Sequence, residues 1–433
     1  MRDAPEPLRR RLHVVVGDHA PNLPEPAGRF TRLTRARGPA IRVTAEGRMS
    51  DAAKKVVVLG AGMVGAAIAR DLAEDAGLRV DVADLRPESL ERVAERAKVG
   101  KVRADLGSPD VVRRLVAGYD LVVGALPSAI GFETVRTVIE AGRDLVDISF
   151  MPENALLLDG LARERGVTAV VDCGVAPGLS NMMCGQAASR LEPCERVEIY
   201  VGGLPVARHW PFDYKAGFAP SDVLEEYTRP ARIVEHGQIV LKEPLSEPEL
   251  LEFPGVGTLE AFNTDGLRSL AYTLKAPFMK EKTLRWPGHS ELMRVLRDTG
   301  FFSLDPLEVG GLKVRPRDVT AALLFPKWTF EEGEADFTVM RVRVEGRENG
   351  TRVVHAWDFV DRFHEGTGLR SMSRSTGYVA TSVARLVARG GFRQPGVHPP
   401  ETLGAVPGIL DGVLADLAAR GVRCRGTLTR LAA

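Results

Sequence analysis

The sequence lacks an excess of either charge, and it lacks any long apolar run. Its 58 Lys and Arg residues are balanced by 57 Asp and Glu residues, which gives a formal net charge of +1. Proteins that bind nucleic acid or anionic membranes usually carry a basic excess, so we expect neither kind of partner. No stretch approaches the roughly 18 consecutive apolar residues that a membrane-spanning helix needs.

Cysteine is also scarce. The only cysteines are Cys173, Cys184, Cys194 and Cys424. They form no C-x-x-C pair and have no histidines at ligand spacing, so we predict no metal site. Free, buried thiols are typical of a reducing compartment, which favours a cytoplasmic location.

The length of 433 residues exceeds what one hydrophobic core usually holds, so we expect two domains. Residues 1–53 differ from the rest, because they are rich in Arg and Pro and show no sustained helical or strand period. No apolar signal core follows Arg9-Arg10-Arg11, which argues against a secretory signal peptide. We interpret residues 1–53 as a disordered leader, or as sequence that precedes a true start at Met49.

A glycine motif follows the first predicted strand. The apolar run Val56–Leu59, typical of a strand buried on both faces, leads directly into Gly60-Ala61-Gly62-Met63-Val64-Gly65. In a G-x-G-x-x-G turn the first glycine permits the tight bend, the second lets a pyrophosphate approach the backbone, and the third lets a helix pack on the strand. The free N–H groups of that helix attract phosphate. We therefore predict a dinucleotide site that includes Gly60, Gly62, Met63, Val64 and Gly65.

An acidic residue ends the second predicted strand. Asp84 follows Leu78–Ala83 and lies 19 residues after Gly65. A carboxylate at this position accepts hydrogen bonds from the adenosine ribose and repels a 2′-phosphate, which favours NAD over NADP. Arg86 weakens that preference, since it could bind a phosphate. The predicted cofactor is NAD, with NADP possible.

Strands and helices continue to alternate up to residue 172. After the first two strands, further strands are predicted at Val102–Asp105, Leu121–Ala125, Leu145–Asp147 and Val167–Asp172, with helices between them. Six strands in this pattern predict a Rossmann doubly wound parallel sheet of the α/β class. Ligands bind such sheets at the carboxyl ends of the strands. The residues predicted at those ends are Leu126, Pro127, Ser128, Asp147, Ser149, Cys173 and Gly174.

The pattern changes after Gly174. Val197–Val201, Phe337–Val344 and Arg352–Phe359 alternate apolar and polar residues, as in an antiparallel sheet with one solvated face. We predict a Rossmann domain at 54–174 and an α+β substrate domain with a mostly antiparallel sheet at 175–370. A C-terminal helical segment at 371–433 is predicted to return to the Rossmann domain.

The chain resembles the saccharopine dehydrogenases and their relative L-lysine 6-dehydrogenase. The resemblance extends from about Lys54 to Arg420. It rests on the order and spacing of the segments Gly174–Gly178, Tyr200–Pro205, Glu226–Pro230, Leu259–Thr264, Lys282–Arg285, Gly288-His289, Val314–Asp318 and Gly396–Glu401. The pattern is more similar to lysine 6-dehydrogenase than to the fungal saccharopine reductases.

This resemblance implies an NAD(P)-dependent oxidoreductase that acts on a CH–NH2 or CH–NH group. Hydride would leave the carbon that bears the side-chain nitrogen of L-lysine, and water would hydrolyse the imine to 2-aminoadipate 6-semialdehyde. The alternatives are a saccharopine dehydrogenase that releases L-glutamate and a carboxynorspermidine-type reductase. Arg208, Arg229, Arg268 and Lys282 could bind their additional carboxylates. A protein that binds NAD without catalysis is a fourth possibility.

Amine oxidation needs a group that exchanges protons near neutral pH and a cation for the α-carboxylate. Arg285 is the candidate for the carboxylate, or else forms a surface ion pair. His289 and Lys215 are alternative proton-transfer groups; a packed histidine and a solvated lysine are the competing interpretations.

Other residues are candidates for binding the substrate. Asn263 and Thr264 could bind its amino group or form a turn, and Asp147 could orient its ammonium or cap a segment. Gly202 and Gly203 would contact substrate through the main chain. The predicted partner is a small-molecule amino acid, and the predicted assembly is a homodimer.

Overall fold

The structure is a computed structural model, and it describes residues 53–431. The predicted leader, apart from Ala53, and the alternative start at Met49 lie outside the described residues. Within the described range no helix is long and apolar enough to cross a membrane. None of the four cysteines, all of which lie in this range, forms a disulfide.

Strands and helices alternate in the first part of the described chain. Its elements are β1 (Lys54–Leu59), α1 (Met63–Ala73), β2 (Leu78–Asp84), α2 (Pro87–Ala94), β3 (Gly100–Arg103), α3 (Pro109–Val116), β4 (Leu121–Gly124), α4 (Ser128–Glu140), β5 (Asp144–Asp147), a 3-10 helix (Ala155–Leu158), α5 (Asp159–Arg165) and β6 (Thr168–Val170).

Strands dominate the middle of the chain. The elements there are α6 (Leu179–Ala188), β7 (Cys194–Pro205), α7 (Pro220–Thr228), β8 (Ala231–Glu235), β9 (Gln238–Lys242), β10 (Glu249–Phe253), β11 (Gly257–Asn263), α8 (Leu270–Thr273), β12 (Phe278–Arg285), α9 (His289–Asp298), β13 (Leu307–Val309), β14 (Leu312–Val314), α10 (Pro316–Trp328), β15 (Asp336–Glu348) and β16 (Thr351–Arg362). The chain ends with α11 (Ser371–Ala388), β17 (Gly396–His398), α12 (Pro400–Gly404), α13 (Ile409–Ala419) and β18 (Cys424–Arg430).

A parallel sheet forms the nucleotide-binding half. Within residues 53–431 its seven strands have the order β3-β2-β1-β4-β5-β6-β17, and every pair is parallel. Val56–Leu59 in β1 are fully buried, because helices cover both faces of the sheet. The predicted doubly wound sheet is confirmed. It differs from the prediction by the seventh strand, whose three residues are too few to show a period.

The second sheet is mostly antiparallel, as predicted. Among the described residues it has nine strands in the order β10-β11-β12-β7-β15-β16-β18, with β8 and β9 attached through β12. Its one parallel pair in this range joins β7 to β12. Buried Val197, Ile199 and Val201 alternate along β7 and pack into the core. Strands β7 and β12 therefore bring their carboxyl ends to one side of the molecule.

The last 60 or so residues contact both halves. Helix α11 packs on α1, where a Cβ at Gly377 would lie 3.3 Å from Ile68 Cγ1. Strand β17 extends the parallel sheet beside β6, and β18 extends the second sheet beside β16. The segment predicted as helical thus also contains two strands. Strand β18 was missed because its exposed edge position requires no alternation of apolar residues. The proposed boundaries after residues 174 and 370 fall between β6 and α6 and between β16 and α11.

A buried ion pair fastens α11 to α1. Arg385 Nη1 lies 2.7 Å from Asp71 Oδ2, and Arg420 Nε also binds the Asp71 carboxylate. Removal of one partner of a buried pair costs up to about 3–5 kcal/mol, and here Arg385 and Arg420 would keep Asp75 and Asp416 as second partners. We expect Asp71→Ala to lower the free energy of unfolding by up to that amount, measured by urea denaturation. Asp110→Ala, which removes the exposed Asp110–Arg113 pair, is the control and should stay near the wild-type midpoint. Equal midpoints for the two variants would contradict this prediction.

Candidate active site

One cavity of about 1220 Å³ lies between the glycine turn and the second sheet. Its walls come from the carboxyl ends of the parallel strands, from β7 and β12, and from α7. This is the side of the sheet on which doubly wound folds bind ligands. The cavity is large enough for a dinucleotide and a small substrate together.

The glycine turn has the shape that a pyrophosphate requires. Gly60 has φ +102°, and a Cβ there would come 2.5 Å from the Ala125 carbonyl oxygen. A Cβ at Gly65 would collide with the carbonyl of Gly60, whereas a Cβ at Gly62 would have no neighbour within 4 Å. Two glycines therefore permit close packing, and Gly62 leaves open space at the N-terminus of α1. The residues present fit a bound dinucleotide, which the backbone N–H groups of this turn would hold.

The carboxylate of Asp84 is hydrogen-bonded to the backbone of the glycine turn. Its Oδ2 accepts from the Ala61 N–H at 2.8 Å and its Oδ1 from the Arg86 N–H at 2.9 Å. The same end of the cavity is lined by Arg86, Arg92 and Arg96. These guanidinium groups could bind a 2′-phosphate, so the geometry suits NADP as well as NAD.

The residues after β4 connect the two halves. Leu126 and Pro127 line the cavity. Ser128 begins α4 and lies behind the wall, where its Oγ donates to Asp222 Oδ1 at 2.7 Å. Because Asp222 belongs to α7 and lines the cavity, this hydrogen bond fixes one wall against the other.

Strand β12 presents three polar side chains to the cavity. Glu281, Thr283 and Arg285 alternate along the strand, so they share a face, and all three line the cavity. Thr264 Oγ1 lies 2.7 Å from Glu281 Oε2 and 2.8 Å from Thr283 Oγ1. Gly202 lies on the neighbouring strand β7 and also lines the cavity.

Arg285 is buried and its guanidinium group is already bound by protein. Nη2 lies 2.9 Å from Glu226 Oε2, Nε donates to the Tyr227 hydroxyl at 3.2 Å, and Nη1 donates to the Leu284 carbonyl at 3.0 Å. The guanidinium also lies 4.4 Å from the centre of the Tyr214 ring. Although desolvation opposes its charge, these neighbours raise the pKa of Arg285 above its usual value.

His289 lies outside the cavity wall. Its Nε2 is 2.9 Å from the Tyr227 hydroxyl and its Nδ1 is 2.8 Å from the Phe212 carbonyl. Burial, and secondly the charge of Arg285, lower the pKa of His289 to about 3. The ring is therefore neutral, and Nδ1–H donates to the carbonyl because a carbonyl can only accept.

Three other predicted residues also lie outside the wall. Lys215 Nζ is 2.6 Å from Glu334 Oε2, and Asn263 Nδ2 donates to Ser246 Oγ at 3.1 Å. Asp147 accepts from the Ser149 N–H at 2.8 Å, and burial raises the pKa of Asp147 to about 7.

The structure therefore brings together only some of the predicted site residues. Those that line the cavity are Gly60, Gly62, Met63, Val64, Gly65, Asp84, Leu126, Pro127, Gly202, Gly203, Thr264 and Arg285. Those that do not are Ser128, Asp147, Lys215, Asn263 and His289. Among the lining carboxyl groups that the sequence reasoning missed are Asp222, Glu226 and Glu281. Counting back by twos from Arg285 along its strand would have found Glu281.

Comparison with known proteins agrees with this architecture. A family model described as the saccharopine dehydrogenase NADP binding domain matches residues 56–170, and the saccharopine dehydrogenase C-terminal domain matches residues 174–422. The apo histidine-tagged saccharopine dehydrogenase (L-Glu forming) from Saccharomyces cerevisiae has a similar fold, with a TM-score of 0.72 and 19% sequence identity. That match covers 87% of this chain and 100% of the other.

Curated relatives align over part of their length. The mitochondrial alpha-aminoadipic semialdehyde synthase of Mus musculus is 26% identical over 55% of this chain and 27% of its own. The saccharopine dehydrogenase [NADP(+), L-glutamate-forming] of Pyricularia oryzae is 24% identical over 58% of this chain and 59% of its own. The match thus spans about a quarter of the first relative and three-fifths of the second. The two family models together cover most of the sequence, and the chain belongs to the saccharopine dehydrogenase family, whose members are NAD(P)-dependent oxidoreductases that act on CH–NH groups.

Proposed function

We propose that this protein is an NAD(P)-dependent dehydrogenase that oxidises the side-chain amine of L-lysine to 2-aminoadipate 6-semialdehyde. The charge of the substrate end of the cavity carries the proposal. The second-domain part of the cavity lining has four carboxyl groups (Asp222, Glu226, Glu281 and Glu332) and two guanidinium groups (Arg285 and Arg370). Lysine has two ammonium groups and one carboxylate, whereas saccharopine has two amino groups and three carboxylates. A wall with an excess of carboxyl groups favours the cationic substrate.

The remaining wall residues suit an aliphatic amine. Phe150, Phe218 and Phe330 line the cavity and offer apolar surface to the methylene chain of the substrate. When bound, the nicotinamide accepts a hydride from the carbon that bears the amine. The task of the protein is therefore to orient that carbon, exclude water until the imine has formed, and move protons.

We assign different roles to the two arginines. Because Arg285 already binds Glu226 and a tyrosine hydroxyl, we propose that it positions Glu226 in the wall. Arg370 is the candidate ligand for the α-carboxylate. Its guanidinium lies 4.7 Å from the centre of the Phe330 ring, and its Nη2 donates to the Glu331 carbonyl at 2.7 Å. Its Nε is buried with no hydrogen-bond partner among residues 53–431.

Saccharopine oxidation with release of L-glutamate is the second candidate, and one observation favours it. Of the four cations considered for extra carboxylates, Arg208 pairs with Asp213, Arg268 with Asp172, and Lys282 with Glu249. The two terminal nitrogens of Arg229 are buried and have no hydrogen-bond partner within the described chain, although Nη2 lies 3.9 Å from Glu225 Oε2. Its guanidinium lies 5.0 Å from the centre of the Phe150 ring, which lines the cavity.

The assembly and the location stay predictions from the sequence. We propose a homodimer in the cytoplasm. Light scattering that gives about twice the chain mass of 47.0 kDa would support the dimer, and a mass equal to one chain would contradict it.

The first prediction of this proposal concerns the substrate. We expect kcat/KM for L-lysine to exceed that for saccharopine at least about tenfold, measured by the absorbance of the reduced nicotinamide.

We expect Arg370→Met to raise KM for lysine about tenfold to a hundredfold, since a hydrogen bond to a charged group contributes about 1.5–3 kcal/mol. The same variant should leave 1,5-diaminopentane, which lacks the carboxylate, unaffected. Preference for saccharopine, or equal losses with both amines, would contradict these assignments.

The second prediction concerns the cofactor. We expect the protein to bind both NAD and NADP, and Arg86→Ala to weaken NADP by about tenfold or more while NAD changes little. The dissociation constants can be measured by quenching of protein fluorescence. Arg79→Ala is the control, because Arg79 lies on β2, the strand that precedes Arg86, and does not line the cavity. An equal loss of both dinucleotides in Arg86→Ala would argue against a 2′-phosphate site.

A further inference from the structure

Glu281 is a buried carboxyl group in the middle of β12, and it is only 3% exposed. Its position in the strand places it on the cavity side together with Thr283 and Arg285. A carboxyl group in such a place is costly to ionise unless a cation or hydrogen bonds compensate the charge. What surrounds Glu281 therefore determines what it can do.

Hydrogen bonds hold Glu281, but no cation does. Thr264 Oγ1 donates to Glu281 Oε2 at 2.7 Å. Because that hydroxyl has a single proton, the 2.8 Å contact between the two threonines requires Thr283 to donate to Thr264. A Cβ at Gly266 would overlap the carboxyl group, so glycine is needed for the backbone to approach it. Among residues 53–431, no Lys, Arg or His nitrogen lies within 4.0 Å of its oxygens.

The neighbouring charges do not stabilise an ionised Glu281. Glu226 on α7 and Asp265 after β11 are acidic neighbours whose charges raise the pKa of Glu281. Each of these has its own cation, since Arg285 binds Glu226 at 2.9 Å and Arg232 binds Asp265 at 2.6 Å. Burial, reinforced by the two acids, raises the pKa of Glu281 to about 8. In the free protein the group thus gains and loses its proton in the neutral to alkaline range.

The other acidic groups of the substrate wall are already bound. Asp222 accepts from Ser128 Oγ, Glu226 is paired with Arg285, and Glu332 is paired with Arg96. His289 is neutral and lies behind Tyr227, outside the wall. Glu281 is the carboxyl group of the wall that has neither a cation nor a link to the opposite domain among the described residues.

We propose that Glu281 is the proton-transfer group of amine oxidation, held in place by Thr264 and Thr283. This inference rests on the proposed function, because it requires an amine substrate. The Glu281 carboxylate takes one proton from the substrate ammonium R–CH2–NH3+, which leaves the free amine and the carboxylic acid. The C–H bond next to nitrogen then breaks, and its electron pair leaves as hydride to the oxidised dinucleotide. The product of that step is the iminium ion R–CH=NH2+.

Hydrolysis uses the same group after it has returned its proton to solvent. Water forms a C–O bond to the iminium carbon and gives one proton to the Glu281 carboxylate. That proton passes to nitrogen, the C–N bond breaks, and ammonia leaves as ammonium once the hydroxyl proton has been transferred. Overall, the ammonium substrate, the oxidised dinucleotide and water give the aldehyde, ammonium, the reduced dinucleotide and one proton.

The test is the pH dependence of three variants. Because the base must be ionised, wild-type log kcat/KM should rise with a slope of one up to about pH 8 and then level off. Glu281→Gln should lower kcat about 10²- to 10⁴-fold and lose this rise. Glu281→Asp should keep the rise with reduced activity. Thr264→Val removes a hydrogen bond that lowers the pKa of Glu281, so the rise should move to higher pH.

Two measurements that need no turnover distinguish loss of the proton-transfer group from loss of cofactor binding. Infrared titration of the free protein should show a protonated carboxyl band that disappears near pH 8 in wild type and is missing in Glu281→Gln. NAD binding by calorimetry should be unchanged in Glu281→Gln; if that variant binds no NAD, Glu281→Asp carries the test. Glu345→Gln on β15, which does not line the cavity, is the control for loss of a glutamate.

Two results would overturn the assignment in different ways. Wild-type activity and an unchanged pH profile in Glu281→Gln would overturn the role of Glu281 alone. A wild-type protein that binds NAD but oxidises neither lysine nor saccharopine would overturn the proposed function, and the catalytic role with it.

Discussion

The buried guanidinium group of Arg285 sets the electrostatics of the cavity. A charge in this position has to be compensated by protein groups, and Glu226, two tyrosines and a carbonyl supply that compensation. The same charge helps to keep His289 neutral. Because Arg285 is paired with Glu226, it does not neutralise Glu281, which has no cation within 4.0 Å among residues 53–431. The buried charge of Arg285 thus determines which of the two carboxyl groups, Glu226 or Glu281, is paired.

The shape of the cavity depends on contacts that cross between the two halves. Ser128 binds Asp222, and Arg268 Nε binds Asp172 at 3.1 Å in a buried pair. Each contact joins a residue at the carboxyl end of the parallel sheet to a residue of the second domain. The walls are therefore fixed relative to each other before any ligand binds, which reduces the entropy that substrate binding has to overcome.

The sequence predicts the nucleotide half well because its signals are local. The glycines of the turn and the apolar strand before it lie within ten residues, so a glycine turn at Gly60, Gly62 and Gly65 could be predicted from its spacing and its position between a strand and a helix. The substrate half is different. Whether Glu281 or Lys282 faces the cavity depends on which face of β12 turns inward, and this is determined by the pairing of β12 with β7 and β11.

The sequence analysis selected His289 and Lys215 because histidine and lysine side chains can transfer protons. In the structure, however, His289 is hydrogen-bonded to the Phe212 carbonyl and Lys215 pairs with Glu334, and neither lies in the cavity wall. Strand β17 escaped prediction for a related reason: three residues show no period, and their partner β6 lies more than 200 residues earlier in the chain. Tertiary pairing is what gives these short segments their structure.

The position of β17 also affects how the chain is made. Until Gly396–His398 have left the ribosome, β6 remains an open edge of the parallel sheet, and unpaired strand edges promote association between nascent chains. Strand β18 imposes the same delay on β16 in the second sheet. Neither half can complete its sheet until these late segments have been synthesised, so loss of β17 or β18 would leave an open strand edge in the sheet to which it belongs.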